Sequence, residues 1–268
     1  MAVYVDDLII MSDDDASLMQ VKHALSNQFK MKDFGPLHYC LGVNIDQHES
    51  SISLDQQYYL QQVINRFGMQ DSNPVSTPAD INVKLIKYDG ISKPVDSKKY
   101  QAMVGSLLYA SVATCPDIAQ AISEVSKYNS CPTEAHLTAV KRIICYIKGT
   151  LTTKLCYNKS DEAKVIGYSD ANWARDLDNR CSTSGNVFLM SGGAVSWQSK
   201  RQNTVAVSTA EAEYVSLFHA TQEAMWLHKL LNDNDGKDAH IPTTCMVDNQ
   251  AAIAIAKKHR NKIPNKTY

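Results

Sequence analysis

Ala2-Val3-Tyr4-Val5-Asp6-Asp7-Leu8-Ile9-Ile10 places apolar residues on both sides of two adjacent aspartates. The pattern predicts a β-hairpin in which Val5 ends the first strand, Leu8 begins the second, and Asp6 and Asp7 lie at the tip. Neighbouring carboxylates repel one another unless cations lie between them, and ligation by oxygen alone suits Mg²⁺ or Mn²⁺. The hairpin is therefore a candidate site for divalent cations, although a solvated acidic turn would show the same two aspartates.

The composition is that of a globular protein. At 268 residues, of which 44% are hydrophobic, the chain is long enough for a substantial core and one or two domains. No stretch approaches the ~18 consecutive apolar residues of a membrane-spanning helix. Seven cysteines without a C-x-x-C pair favour neither a disulfide framework nor a zinc site. We therefore expect an intracellular protein in a reducing compartment, with no membrane partner.

The charges are distributed unevenly along the chain. Residues 1–56 hold nine acidic and three basic side chains, whereas residues 81–154 hold five acidic and ten basic ones. The middle of the chain is therefore the better surface for a polyanion. A basic tail without acids follows at Lys257, Lys258, Arg260, Lys262 and Lys266. This tail either contacts phosphates or is simply solvated.

The first half of the chain alternates short strands with helices. Asp13-Asp14-Asp15 precedes apolar residues at helical spacing (Leu18, Val21, Leu25 and Phe29), and we interpret the acidic triplet as a helix cap. Further elements are predicted as strands at Leu37–Asp46 and Ser51–Leu54 and a helix at Gln56–Phe67. Prolines from residue 74 to residue 94 then predict a linker.

The second half begins with helices and ends with a mixed pattern. Helices are predicted at Ser97–Val112, Pro116–Tyr128 and Thr133–Lys148. Strands follow at Val165–Ser169, Gly185–Ser191, Ala194–Gln198 and Thr243–Val247, with a hairpin turn at Gly192-Gly193. A long helix capped by Ser208 or Thr209 precedes the last strand, and a helix at Gln250–Lys258 follows it. The predicted order of elements from residue 165 is β-β-β-α-β-α.

Three acidic residues occupy related positions in this last region. Asp170 follows a predicted strand, Glu213 lies one turn into the long helix, and Asp248 ends the next strand. Strands that are distant in sequence can lie side by side in a mixed sheet, so these carboxylates can converge on metal ions and support phosphodiester hydrolysis. Each acid alone would be a surface or capping residue, and the order of elements is what groups them.

Several motifs in one order resemble a known family. They are Gly167-Tyr168-Ser169-Asp170-Ala171-Asn172-Trp173-Ala174, Ser182-Thr183-Ser184-Gly185, Ser196-Trp197, Ser208-Thr209-Ala210-Glu211-Ala212-Glu213-Tyr214 and Asp248-Asn249-Gln250-Ala251-Ala252-Ile253. Together they resemble the ribonuclease H domain of copia-type LTR-retrotransposon Pol polyproteins. Tyr4–Asp7 resembles the catalytic turn of the reverse transcriptase in the same polyproteins. The resemblance covers essentially the whole chain.

The resemblance implies metal ligands at Asp170, Glu213 and Asp248 for the nuclease and at Asp6 and Asp7 for the polymerase, with Mg²⁺ or Mn²⁺ as cofactor. Residues two apart on a helix point about 200° from one another, so Glu211 and Glu213 cannot both face one site. The family pattern selects Glu213. The resemblance also implies contacts with nucleic acid in three elements. They are Tyr4 in the polymerase turn, Leu41 and Gly42 in a primer-gripping hairpin, and Lys141, Arg142 and Lys148 in the connecting helices.

The implied fold class is α+β or α/β, in three parts. Residues 1–80 form the C-terminal part of a reverse-transcriptase palm and thumb, residues 81–160 a helical connection, and residues 161–268 a ribonuclease H-like mixed sheet with helices. A polymerase site also takes a carboxylate from an earlier strand, and the family's ribonuclease domain continues to a fourth acidic ligand. We therefore expect either a fragment or gene remnant of a polyprotein, truncated at both ends, or a start upstream of Met1.

Three functions follow as alternatives. The chain is part of an RNA-directed DNA polymerase with two-metal ribonuclease H activity on RNA·DNA hybrids, or an inactive nucleic-acid-binding remnant, or an unstable remnant without a role. The expected partners are an RNA·DNA hybrid, a primer-template and the rest of the Pol polyprotein. The expected location is a cytoplasmic retrotransposon particle with a possible nuclear phase.

Overall fold

The computed structural model describes residues 1–12, 14–159, 164–235 and 243–260. Asp13 of the predicted cap and residues 261–268 of the basic tail lie outside these ranges. The described chain has a mixed α and β architecture with ten strands, seven α-helices and one 3₁₀ helix. None of these helices is both long enough and apolar enough to cross a membrane. The chain divides into two compact units, residues 1–41 and 42–268.

The first unit begins with the predicted hairpin. Strand β1 (Ala2–Tyr4) pairs antiparallel with β2 (Asp7–Ile9), and Tyr4 is paired with Asp7. The hairpin is confirmed, but its turn consists of Val5 and Asp6, and Asp7 already belongs to β2. Val5 has a φ of 49°, so its assignment to a strand was wrong. A two-residue hairpin turn requires a positive φ, and this need outweighs the strand preference of valine.

Helix α1 (Asp15–Gln28) follows, and a two-residue strand, β3 (Tyr39–Cys40), lies near the end of the unit. The backbone N–H groups of Ala16 and Ser17 donate to the Asp14 carboxylate at 3.2 and 2.8 Å. A hydrogen bond from the Ser17 side chain, followed by those from the N–H groups of Ser17 and Ala16, lowers the pKa of Asp14. Asp14 is therefore the N-cap that the acidic triplet predicts. None of the described residues of this unit is buried.

The second unit contains an antiparallel arrangement of β4 (Val43–Gln47), β5 (Ser51–Asp55) and β6 (Leu155–Asn158). The continuous strand predicted at Leu37–Asp46 is wrong, because Leu41 and Gly42 have φ values of 50° and 73°. Those values belong to a tight turn rather than to extended chain. Strand β6 has no counterpart among the predicted elements.

Four helices form the larger hydrophobic core. They are α2 (Gln57–Arg66), α3 (Ser97–Ala113), α4 (Ala119–Ser126) and α5 (Glu134–Gly149), with a 3₁₀ helix at Pro116–Ile118 before α4. Their buried side chains include Ile64, Tyr100, Leu107, Ile122 and Ile144. The helix predicted from Pro116 to Tyr128 is therefore divided and ends earlier than predicted.

A second sheet contains β7 (Ile166–Asn172), β8 (Thr183–Met190), β9 (Gly193–Arg201) and β10 (Thr244–Met246) in the spatial order β10-β7-β8-β9. Strand β10 is parallel to β7, and the other pairs are antiparallel. Helix α6 (Thr209–Asp235) packs on the sheet through Ala220 and Leu227 against Val165 and Phe188, and α7 (Gln250–Arg260) follows β10. The predicted element order is confirmed.

The turn between β8 and β9 is shifted by one residue from its predicted position. Ser191 and Gly192, with φ values of 53° and 83°, form the turn, and Gly193 is already paired with Met190. A Cβ atom at Gly193 would lie 2.6 Å from the carbonyl oxygen of Cys156. Gly193 is therefore required for close packing against β6 rather than for the turn.

Candidate metal centre

Two of the three predicted nuclease carboxylates lie at the same edge of the second sheet. In the parallel pairing of β7 with β10, Tyr168 is opposite Met246. Asp170 and Asp248 follow Tyr168 and Met246 by two residues each, so they reach equivalent positions on neighbouring strands. Asp248 lies just after β10, whereas Asp170 lies within β7, and the predicted end of that strand at Ser169 is wrong because its pairing with β8 continues to Asn172. The topology thus brings together two acids that are 78 residues apart in sequence.

The first turn of α6 supplies the third carboxylate. The Ser208 hydroxyl accepts a hydrogen bond from the Glu211 N–H at 3.2 Å, and the Glu211 carboxylate accepts one from the Val207 N–H at 2.8 Å. Ser208 is therefore the cap, and Glu211 stabilises the start of the helix in the manner of a capping box. Glu213 points to a different side of the helix, toward the sheet.

Asp170, Glu213 and Asp248 each offer a carboxylate oxygen, and these three oxygens lie within 4.8 Å of one another. Asp170 and Asp248 are exposed, whereas Glu213 is only 7% exposed. Within the described ranges, no other group of three or more potential ligands comes together in this way. The cluster is thus open to solvent on the side of the two aspartates and closed on the side of the helix.

The donor set fits a hard divalent cation. Oε2 of Glu213 is buried and has no hydrogen-bond partner. Leaving a buried carboxylate oxygen unpaired is costly, and a cation at the cluster would remove that cost. Three oxygen donors without nitrogen or sulfur suit Mg²⁺ or Mn²⁺ better than zinc.

The electrostatics of Glu213 agree with this assignment. Burial, followed by the charge of Asp170, raises the pKa of Glu213 to about 7, and Asp248 adds to the effect. A hydrogen bond from the Ala171 N–H acts in the opposite direction. A raised pKa produced by crowded carboxylates is typical of sites that bind cations or transfer protons.

A serine that the sequence interpretation missed joins α6 to the strand that carries Asp170. The Ser216 hydroxyl is fully buried, donates to the backbone carbonyl of Asp170 at 2.6 Å, and accepts from the Ser169 hydroxyl at 3.1 Å. Ser216 lies three residues after Glu213, and this spacing places both side chains on one helix face. That spacing is the signal from which Ser216 could have been identified.

The residues predicted at the polymerase turn are exposed at the first hairpin. Tyr4 is 57% exposed, and Asp6 and Asp7 are exposed beside one another. Within the described residues, no third carboxylate joins these two aspartates in a cluster of potential ligands. Their metal-binding role remains a prediction.

The predicted nucleic-acid contacts in α5 differ in their surroundings. Arg142 donates from Nη2 to the Thr77 hydroxyl at 2.9 Å, and Lys148 donates to the carbonyl oxygens of Gln70 and Ser72. The side chains of Arg142 and Lys148 therefore hold the segment that connects α2 with α3 against helix α5. Lys141, in contrast, is exposed.

Leu41 and Gly42, predicted to grip a primer, form a tight turn. Leu41 is 42% exposed, and a Cβ atom at Gly42 would lie 3.5 Å from the Tyr109 hydroxyl. The positive φ values at both positions fix the turn, and its contact with nucleic acid remains a prediction.

Comparison with known proteins identifies the family. Residues 1–81 match the family described as reverse transcriptase (RNA-dependent DNA polymerase). Over 95% of its length the chain is 40% identical to the retrovirus-related Pol polyprotein from transposon TNT 1-94 of Nicotiana tabacum, and it covers 20% of that protein. Over 87% of its length it is 37% identical to the corresponding polyprotein from transposon RE1 of Arabidopsis thaliana, and it covers 16% of that protein.

A third relative is similar over nearly its whole length. It is an uncharacterized mitochondrial protein of Arabidopsis thaliana, 35% identical over 84% of this chain and 92% of that protein. The chain belongs to the copia-type retrotransposon Pol family. This Pol chain spans a fifth or less of the polyproteins from transposons TNT 1-94 and RE1. No solved structure matches the Pol chain.

Proposed function

We propose that this Pol chain contains a ribonuclease H centre, which hydrolyses the RNA strand of RNA·DNA hybrids at Asp170, Glu213 and Asp248. The observation that carries the proposal is the convergence of these three carboxylates within 4.8 Å. Two come from neighbouring parallel strands and one from the helix packed on the sheet. A centre with oxygen ligands and an open side fits phosphodiester chemistry.

The three side chains have distinct tasks in this centre. Exposed Asp170 and Asp248 lie on the side from which a polynucleotide can approach, and buried Glu213 closes the opposite side. Bound Mg²⁺ would supply an activated water and stabilise the leaving oxygen by the two-metal scheme. The protein holds the ligands on two strands and a helix, so the negative charge is concentrated before substrate arrives.

We further propose that Asp6 and Asp7 are ligands of a polymerase centre and that Tyr4 contacts the template or primer. The match of residues 1–81 to the reverse transcriptase family supports this assignment. In this proposal, residues 1–80 belong to a palm and thumb, residues 81–160 to a connection, and residues 161–268 to a ribonuclease H-like domain.

The proposed partners are an RNA·DNA hybrid, a primer-template and the remainder of the polyprotein. Lys141 is an exposed candidate contact, whereas Arg142 and Lys148 already donate hydrogen bonds within the chain. Leu41 and Gly42 are further candidates, at the turn that precedes β4. The proposed location is a cytoplasmic retrotransposon particle with a nuclear phase, since the family copies RNA into DNA that must reach a genome.

The test is cleavage of an end-labelled RNA·DNA hybrid by the full chain with Mg²⁺ and with EDTA. Asp170→Asn keeps the shape of the side chain and removes its charge. We expect cleavage to fall more than about 100-fold, because even outer partners of metal ligands contribute 10–100-fold. Asp71→Asn, at an exposed carboxylate outside the cluster, should cleave normally.

Absence of Mg²⁺-dependent cleavage by the folded wild-type chain would overturn the nuclease proposal. Fluorescence anisotropy with the same hybrid would then decide between the two remaining alternatives. Binding would support an inactive nucleic-acid-binding remnant, and no binding would support a remnant without this role.

A further inference from the structure

Helix α6 approaches the sheet through a layer of buried polar side chains near its N-terminus. These side chains are Ser169 on β7, Ser184 and Asn186 on β8, Gln202 directly after β9, and Ser216 on the helix itself. Farther along the helix, the contact becomes apolar, with Ala220 and Leu227 against Phe188. Apolar packing is not directional, so this part of the contact does not fix the position of α6 along the strand.

Directional contacts occur where the helix carries Glu213. The Gln202 side-chain amide donates to the Ala212 carbonyl and to the Ser184 hydroxyl, both at 2.9 Å. One turn farther on, the Ser216 hydroxyl donates to the Asp170 carbonyl at 2.6 Å. Helix α6 is therefore hydrogen-bonded on both sides of Glu213, to the residue that follows β9 and to β7.

The hydrogen bond that Ser216 donates ends on a residue of the acidic cluster. It joins the helix to the backbone of Asp170 itself, while the side chain of Asp170 faces Glu213 in the cluster. A hydroxyl has one proton to donate, and the 2.6 Å distance assigns it to Asp170 rather than to Gly185, whose carbonyl lies at 3.3 Å. The Ser169 hydroxyl then orients Ser216 by donating to it at 3.1 Å.

We infer that Ser216 is a positioning residue for the acidic cluster and that Ser169 supports it. Ser216 fixes α6 relative to β7, so that the Glu213 carboxylate stays within reach of Asp170 and Asp248. This inference rests on the proposed function. It adds that the affinity of the cluster for a divalent cation depends on a hydroxyl that does not itself bind the cation.

The test measures Mn²⁺ binding to the full chain by electron paramagnetic resonance, followed by steady-state cleavage of the hybrid. Partners of metal ligands contribute 10–100-fold to metal affinity, so Ser216→Ala should weaken Mn²⁺ binding about 10-fold. The kcat for cleavage should fall while the KM for the hybrid stays the same, and a higher Mg²⁺ concentration should restore part of the rate. Ser169→Ala should act in the same direction but more weakly.

Two controls separate positioning from general packing. Ser111→Ala removes another buried hydroxyl, whose bond is to Leu108 within its own helix, and it should leave Mn²⁺ affinity unchanged. Ser216→Thr keeps the hydroxyl and should bind Mn²⁺ more tightly than Ser216→Ala. In a Glu213→Gln background, Ser216→Ala should have little further effect, because the residue through which it acts is already altered.

The outcomes distinguish this inference from the proposed function. If the wild-type chain binds no Mn²⁺, the nuclease proposal and this inference both fail. If it binds Mn²⁺ and the folded Ser216→Ala and Ser169→Ala variants bind equally well, only the positioning role is overturned. Loss of folding in both variants would also overturn it, since the hydroxyls would then support the fold as a whole.

Discussion

At the scale of single residues, Glu213 shows a conflict between stability and chemistry. Its carboxylate is buried beside two other acids and has an oxygen without a hydrogen-bond partner. A glutamine would remove the charge without leaving a cavity, so nothing in the packing requires a glutamate at this position. Such a costly group is expected where a site must bind a cation.

The raised pKa of Glu213 predicts a pH dependence of stability. Folding raises this pKa from 4.5 to about 7, so between these values the folded chain binds the proton more tightly than the unfolded chain. The free energy of unfolding should therefore fall as the pH rises from about 4.5 to about 7, by on the order of 1–3 kcal/mol, and then stay level. Urea midpoints at pH 5 and pH 8 in EDTA would measure this change.

Glu213→Gln is the matched variant for this prediction. It should be more stable than the wild type at pH 8 and similar to it at pH 4, because it has no charge to desolvate. His136 also contributes in this range, since burial lowers its pKa and protonation would remove the bond that its Nδ1 accepts from Thr133. That contribution is present in both proteins and cancels in their difference. An equal pH dependence of the two proteins would contradict the prediction.

At the scale of elements, α5 carries two lysines that make different contacts. The Lys148 ammonium donates to the Ser72 carbonyl at 2.7 Å and to the Gln70 carbonyl, whereas Lys141 is exposed. Lys148→Ala should therefore lower the free energy of unfolding by about 1–2 kcal/mol, and Lys141→Ala by less than about 0.5 kcal/mol. Urea unfolding of the two variants measures this contrast.

The same pair tests the predicted nucleic-acid surface. If Lys141 contacts a phosphate, Lys141→Ala should weaken hybrid binding and reduce the salt dependence of the affinity by about one unit of slope. Lys148→Ala should leave that slope unchanged, because its ammonium is engaged by carbonyl oxygens. A reduced slope for Lys148→Ala would show that its ammonium also reaches the nucleic acid.

How much of these elements could be predicted depends on whether their signals are local. The cap and the start of α6 are determined within a few residues, and Ser208 was one of the two caps that the sequence predicted. Strand β6 (Leu155–Asn158) was missed because it is short and its partner β5 lies about a hundred residues earlier. Strand pairing over such a distance leaves no periodic pattern in the sequence.

The residues of the candidate site likewise differ in whether the sequence around them predicts their role. Asp170, Glu213 and Asp248 lie on strand and helix patterns that the sequence displays, and the order of those elements grouped them before the family resemblance was considered. Ser216 has only a weak signal, its spacing of three residues from Glu213, because serine in a helix is ordinarily exposed or bonded to its own backbone. Its role depends on how α6 lies against β7, which only the tertiary structure specifies.

At the scale of the whole molecule, burial is confined to one of the two compact units. All of the buried side chains in both hydrophobic cores belong to residues 42–268, and none of the described residues in 1–41 is buried. Burial of apolar surface is the main stabilising contribution to folding. The first unit, taken by itself, therefore lacks the usual means of maintaining a fold.

This division predicts the result of a truncation. A chain that begins at Gly42 should keep its melting temperature within about 3 °C of the full chain, since about 1 kcal/mol changes the melting temperature of a domain of this size by 2–4 °C. A peptide of residues 1–41 should show no cooperative unfolding. Scanning calorimetry measures the first quantity, and circular dichroism on heating measures the second.

The truncated chain also separates the two proposed centres. It keeps Asp170, Glu213 and Asp248 and lacks Asp6 and Asp7, so Mn²⁺ binding at the cluster should persist, because all three carboxylates of the cluster belong to residues 42–268. A drop in melting temperature of 10 °C or more would show that residues 1–41 stabilise the remainder despite their exposure. Loss of Mn²⁺ binding by a folded truncated chain would show that the acidic cluster depends on them as well.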